Sequence, residues 1–104
     1  MPHFFDTNVP PYIYLSQVVK HCPNAAYLYL ELWRSKDKNH LVKVIKKEIQ
    51  TQFLIPFYKF EKNLLQLVQE GLISVQEKRN TIKSKSYLII EVVNFEEGSE
   101  DDIV

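Results

Sequence analysis

The sequence predicts an α+β domain in which a small helical bundle comes first and an antiparallel β-hairpin last. Three observations predict it. Phe60, Leu64 and Leu67 fall at spacings of four and three and are followed by Gly71, the pattern of an amphipathic helix with a left-handed stop. Residues 72–75 and 87–93 are strand-like and flank a polar, basic stretch, as the arms of a hairpin do. With 104 residues, 45% of them hydrophobic, the chain is long enough for one core and leaves little room for a second.

Each element follows from local chemistry. Residues 1–15 read as an extended arm, because Pro2, Pro10 and Pro11 oppose a long helix while Phe4, Phe5, Tyr12 and Tyr14 need cover. Ser16 is placed to cap one helical turn, 17–21, which Cys22-Pro23 interrupts. Pro23 suits the first turn of the next helix, about 24–36, whose Ala25, Ala26, Leu28, Tyr29, Leu30, Leu32 and Trp33 are apolar around most of the circumference. Tyr29 and Trp33, four apart, share a packing face. A polar turn, Lys36-Asp37-Lys38-Asn39, leads to a short β-branched strand at 41–44 that is expected to pair with the hairpin.

Residues 46–53 predict a short amphipathic helix with Ile49 and Phe53 inward and Lys46, Lys47, Glu48 and Gln50 outward. Leu54-Ile55 is the turn, and Pro56 fits the first position of the third bundle helix. Between the two strand-like runs lie residues 76–86. Eleven residues exceed a hairpin loop, so part of them should extend the strands around a turn at Arg79-Asn80-Thr81. The domain is thus expected over 16–95, with 96–104 as an acidic disordered tail.

The order helix, strand, helix, turn, helix, strand, basic tip, strand resembles the winged helix-turn-helix domain, especially those of plasmid and phage replication initiators and small transcriptional regulators. The resemblance covers roughly 23–93 and rests on Ile49, Phe53, Ile55, Phe60, Leu64, Leu67 and the run Glu70-Gly71-Leu72-Ile73. It implies a three-helix core, a small antiparallel sheet with a C-terminal wing hairpin, and binding of duplex DNA. In such domains the third helix enters the major groove and the wing reaches phosphates or the minor groove. By position, Phe57, Tyr58, Glu61, Lys62 and Leu65 would face outward from that helix, and Lys78, Arg79, Lys83 and Lys85 would decorate the wing.

Charge supports the same expectation. The net charge is zero, but Glu96, Glu97, Glu100, Asp101 and Asp102 crowd the last nine positions, leaving eight acids against all 13 Lys and Arg and a net +5 over residues 1–95. A basic body with an acidic end is common in nucleic-acid binders. The phosphate-holding residues expected are Lys46, Lys47, Tyr58, Lys59, Lys62, Lys78, Arg79, Lys83 and Lys85, with Lys43 nearby.

A second surface is expected on the same helix. Phe57, Glu61, Leu65 and Val68 lie at spacings of four, four and three, an apolar stripe with a single acid. It is expected on the side opposite the Phe60, Leu64 and Leu67 stripe, covered by a second subunit, as in a homodimer, or by another protein, which would make the chain a protein–protein interaction or assembly module, or else by the aromatic arm of the same chain. Catalysis, a cofactor, a metal and a small-molecule substrate are not expected. His3, His21 and His40 are isolated, His21-Cys22 lacks the other ligands of a zinc site, and glycines only at 71 and 98 exclude a phosphate-cradling loop. Apolar runs are too short to span a membrane, no signal-peptide pattern opens the chain, and the single Cys22 suits a reducing compartment, so a cytoplasmic protein is expected.

Overall fold

The computed structural model describes residues 9–80 and 85–93. These form an α+β domain in which helices pack on one face of a three-stranded antiparallel sheet. The helices are α1 (Tyr12–His21), α2 (Ala26–Ser35), α3 (Ile49–Phe53) and α4 (Phe57–Gln69), and the strands are β1 (Leu41–Ile45), β2 (Ile73–Asn80) and β3 (Lys85–Val92). Single 3-10 turns, Pro23–Ala25 and Lys46–Glu48, lead into α2 and α3.

The helix α1 corrects the expectation of an extended arm up to residue 15. Tyr12 to Leu15 are helical and Ser16 is an internal residue of α1, not its cap. Prolines end a helix only when they fall inside it. Here Pro10 and Pro11 come before the first turn, where a missing N–H costs nothing, and the Pro11 carbonyl accepts the first helical bonds from Tyr14 and Leu15 at 3.0 and 3.1 Å. Tyr14 and Val18, four apart, bury themselves in the core and give the helix its reason to form. Residues 1–8 and 94–104, which include Phe4, Phe5 and the acidic end, lie outside the described residues.

The sheet order is β1-β3-β2, so β3 is central. Leu41 stands opposite Glu91 and Ile45 opposite Tyr87, the pairing of the early strand with the hairpin that the sequence predicts. Asp37 sets the entry to β1, its carboxylate accepting the backbone N–H groups of Asn39 at 2.7 Å and Leu41 at 3.0 Å. Those two bonds, Leu41's the larger contribution, hold its carboxyl below the usual range. Within the hairpin, Ile73 pairs with Val92 and Asn80 with Lys85. Arg79 and Asn80 therefore belong to β2 rather than to the turn, because strand pairing runs further toward the tip than the loop-length argument placed it. Thr81 lies outside the described residues.

Alternation divides the sheet into two faces. Val42, Val44, Ile73, Leu88, Ile90 and Val92 are buried under the helices, joined by Leu28, Tyr29, Leu32, Ile49, Phe53, Phe60 and Leu67. Tyr29 and Trp33 share a face as expected, with ring centroids 6.2 Å apart. The helix expected over 46–53 is broken into a 3-10 turn and a five-residue α3, yet Ile49 and Phe53 point inward as their spacing requires.

Candidate nucleic-acid interface

Every described site residue expected from the sequence lies on α4, just before α3, or on β2 or β3, so the way α4 is held decides what it presents. Its start is set by Pro56, which sits one residue before the expected position, as the N-cap with ψ near 151°. Its first turn is fixed to α3 by Phe53 and Phe60, whose ring centroids are 5.2 Å apart. The intervening turn uses Leu54 in the left-handed region at φ 59°, a conformation that a leucine adopts at a cost.

The far end of α4 is a Schellman motif. Leu72 N–H donates to the Leu67 carbonyl at 3.1 Å and Gly71 N–H to the Val68 carbonyl at 3.0 Å, with Gly71 at φ 75°. Leu67 and Leu72, the pair that accompanies such an ending, are both buried. Helix α1 is tied to the same corner. Gln17 Nε2 donates to the Glu70 carboxylate at 3.0 Å and to its backbone carbonyl at 2.9 Å, while His21 Nδ1 lies 2.8 Å from the carboxylate.

Three surfaces surround α4. Each residue advances about 100° around a helix, so with Phe60, Leu64 and Leu67 inward, the residues pointing directly away from the core are Tyr58, Lys62 and Gln69, while Gln66 is half-buried with its side-chain oxygen inside. Phe57, Glu61 and Val68 are turned about a quarter of the circumference or less from the buried stripe, and Leu65 more than a third. This corrects the expectation that Phe57 and Val68 lie opposite it. Four-residue spacing shows that side chains share a face but does not show how far that face is rotated from the core.

The stripe instead forms one wall of an open groove of about 690 Å³ between α4 and the hairpin. Phe60, Leu64, Val75 and Leu88 line it as well, so it is continuous with the core. Leu65 is 57% exposed and Tyr58 66% exposed. The described part of the expected arm does not cover the groove: no residue of α1 lines it, Tyr14 is in the core and Tyr12 is exposed.

At the rim, Lys46 Nζ and Glu77 Oε2 form an ion pair at 3.1 Å. Lys46 therefore joins the start of the α3 region to β2 and is not a free phosphate ligand. The pair is partly exposed and contributes little stability. Lys47 is exposed on the same 3-10 turn.

The opposite flank of α4 is polar. Lys59, Lys62 and Asn63 follow one another at i, i+3 and i+4 and, with Asn24 from the 3-10 turn before α2, line a cleft of about 340 Å³. The basic residues of the hairpin divide by strand alternation. Arg79 shares the helix-side face of β2 with Glu77, whereas Lys78 points to the other face, where Lys43 Nζ sits 4.6 Å from the Tyr87 ring centroid. Lys83 and the side chain of Lys85 lie outside the described residues.

Sequence reasoning found Tyr58, Lys59 and Lys62 but missed Asn24 and Asn63. Asn63 carried a local signal, four residues after Lys59; Asn24 joins it only through the tertiary fold. Burial, with the Glu70 charge adding to it, raises the Cys22 thiol and so disfavours the nucleophilic thiolate. Among the described residues no cluster of three His, Cys, Asp or Glu side chains forms a metal-binding group, and no helix is long and apolar enough to cross a membrane. No protein-family model matches the chain, and no curated protein or solved structure does so either.

Proposed function

We propose that the chain is a winged-helix DNA-binding protein, a regulator of replication or transcription from a bacterium or mobile element, acting in the cytoplasm. The observation that carries the reading is the arrangement around α4. Its outermost face bears Tyr58, Lys62 and Gln69, with a lysine and asparagine cleft on one flank and the Arg79 strand on the other. A helix lying in the major groove has a phosphate backbone on either side, so basic groups on both flanks supply the positioning contacts. The Gln69 amide is able to bond base edges, and Leu65 to touch a thymine methyl. Element order and the β1-β3-β2 sheet, which sets the hairpin beside α4, support the same fold.

Fluorescence anisotropy with a generic duplex at low and moderate salt tests this reading. Binding that weakens steeply with salt is expected, because each neutralised phosphate releases counterions. Absence of binding at low salt rules the proposal out. The groove favours a second reading, an assembly module: exposed apolar surface at Phe57, Leu65 and Val68 loses free energy to water until a partner, such as a second copy in a homodimer, covers it.

A further inference from the structure

We infer that the cleft formed by Asn24, Lys59, Lys62 and Asn63 is a phosphate site that seats one phosphodiester of a bound duplex, an inference that rests on the DNA-binding reading. Its lining holds two ammonium groups, two carboxamides and no acid. Among the described residues none of the four side chains takes part in a hydrogen bond or ion pair, so their donors are available to a ligand, whereas several other cations are engaged. Lys46 is paired with Glu77, Lys43 lies over Tyr87, Lys36 over Trp33 and Arg34 beside Glu31.

The geometry favours an oxyanion over other ligands. Ammonium and carboxamide N–H groups are donors, and a phosphodiester offers two non-bridging oxygens that accept several bonds at once. Asn63 is half-buried, so its amide lies partly removed from water and gains from a ligand partner. The two ammonium charges oppose a cationic ligand. The two asparagines come from different elements, the 3-10 turn at Pro23–Ala25 and the middle of α4, and Ala25 beside Asn24 is fully buried, which anchors the turn and fixes the cleft's width. One strand of a duplex would thus cross α4 at its junction with α2, on the flank away from the hairpin.

Two probes test the site in the full chain. With a generic duplex, the double variant Asn24→Ala/Asn63→Ala should bind about tenfold more weakly at an unchanged salt slope, because hydrogen bonds to a charged group are lost but no charge is. Lys59→Gln should flatten the slope by about one. Inorganic phosphate, followed by NMR, should shift the side-chain amide signals of Asn24 and Asn63. Thermal melting of each variant should match the parent, since Asn24 and Lys59 are exposed and the half-buried Asn63 makes no side-chain hydrogen bond among the described residues.

A parent that binds duplex while both variants equal it in affinity and slope, with the amides unmoved by phosphate, overturns the cleft and leaves DNA binding to the helix face and hairpin. A parent that fails to bind duplex while phosphate moves both amides keeps the oxyanion site, makes free phosphate its source and removes the duplex reading. Failure of both probes overturns both.

Discussion

His21 Nδ1 and the Glu70 carboxylate, 49 positions apart in the chain, meet at 2.8 Å and fasten α1 to the corner where α4 turns into β2. Gln17 donates to the same carboxylate, and its bond, followed by that of His21, holds the Glu70 carboxyl below the usual glutamate range. A carboxyl depressed by folding contributes stability above its unfolded value and loses it as pH falls through the lower folded value. Asp37, depressed by the Leu41 and Asn39 amides, acts in the same direction. Urea midpoints measured from neutral to acid pH should therefore decline below the ordinary carboxylate range, and Glu70→Gln should make that decline shallower. An acid limb unchanged in Glu70→Gln would show that the tie contributes no pH-dependent stability.

The two ends of α4 give a pair of variants with opposite signs. Gly71 takes φ 75° and an added Cβ would meet nothing within 4 Å, so Gly71→Ala carries only the conformational penalty, about 1 to 2 kcal/mol. Leu54 takes φ 59° with a side chain 77% exposed, so Leu54→Gly relieves a similar penalty while giving up little burial. Its gain is partly offset by glycine's greater freedom in the unfolded chain, leaving a change between zero and about 1 kcal/mol in favour of the variant. Chemical denaturation of both proteins checks the signs.

Core positions on α4 should differ according to their surroundings. Leu67 is fully buried, whereas Leu64 is 8% exposed and lines the groove. Leu67→Ala should lie toward the upper part of the about 2 to 5 kcal/mol range for such truncations and Leu64→Ala toward the lower, since a site open to the groove leaves less of a closed cavity. Equal midpoints for Leu67→Ala and the parent would contradict the buried stripe.

The sequence makes the periodic parts of the fold legible and hides those set by tertiary geometry. Phe60, Leu64, Leu67 and Gly71 could be read directly, because a helical period and a glycine stop are local signals. Helix α1 was hidden because Pro10 and Pro11 look the same whether they break a helix or precede one; the deciding factor is the burial of Tyr14 and Val18, which depends on the rest of the chain. The turn at Leu54 lacks the glycine that would have marked its left-handed backbone. At the candidate site, residue types could be read on α4, but the direction of the Phe57 stripe, the capture of Lys46 by Glu77 and the meeting of Asn24 with Asn63 depend on packing between elements distant in sequence.

The apolar groove predicts behaviour at high concentration. If a second copy covers Phe57, Leu65 and Val68, light scattering should find a dimer at micromolar concentration, and Leu65→Asp should return it to a monomer with an unchanged melt, because Leu65 is 57% exposed and outside the core. A parent that stays monomeric far above that concentration would remove the homodimer.

The hairpin predicts a difference between two neighbouring cations. Arg79 shares the face of β2 that looks toward α4, and Lys78 the face that looks away. A duplex lying along α4 meets the first face, so Arg79→Gln should weaken binding across unrelated sequences and flatten the salt slope by about one, the loss of one phosphate contact. Lys78→Gln should change the slope less, because its charge acts from the far side of the strand and is screened over about 10 Å at ordinary ionic strength. Equal effects of the two variants would mean that the duplex meets the hairpin at its tip rather than along its α4 side, and an effect of Arg79→Gln confined to one sequence would assign it to base reading.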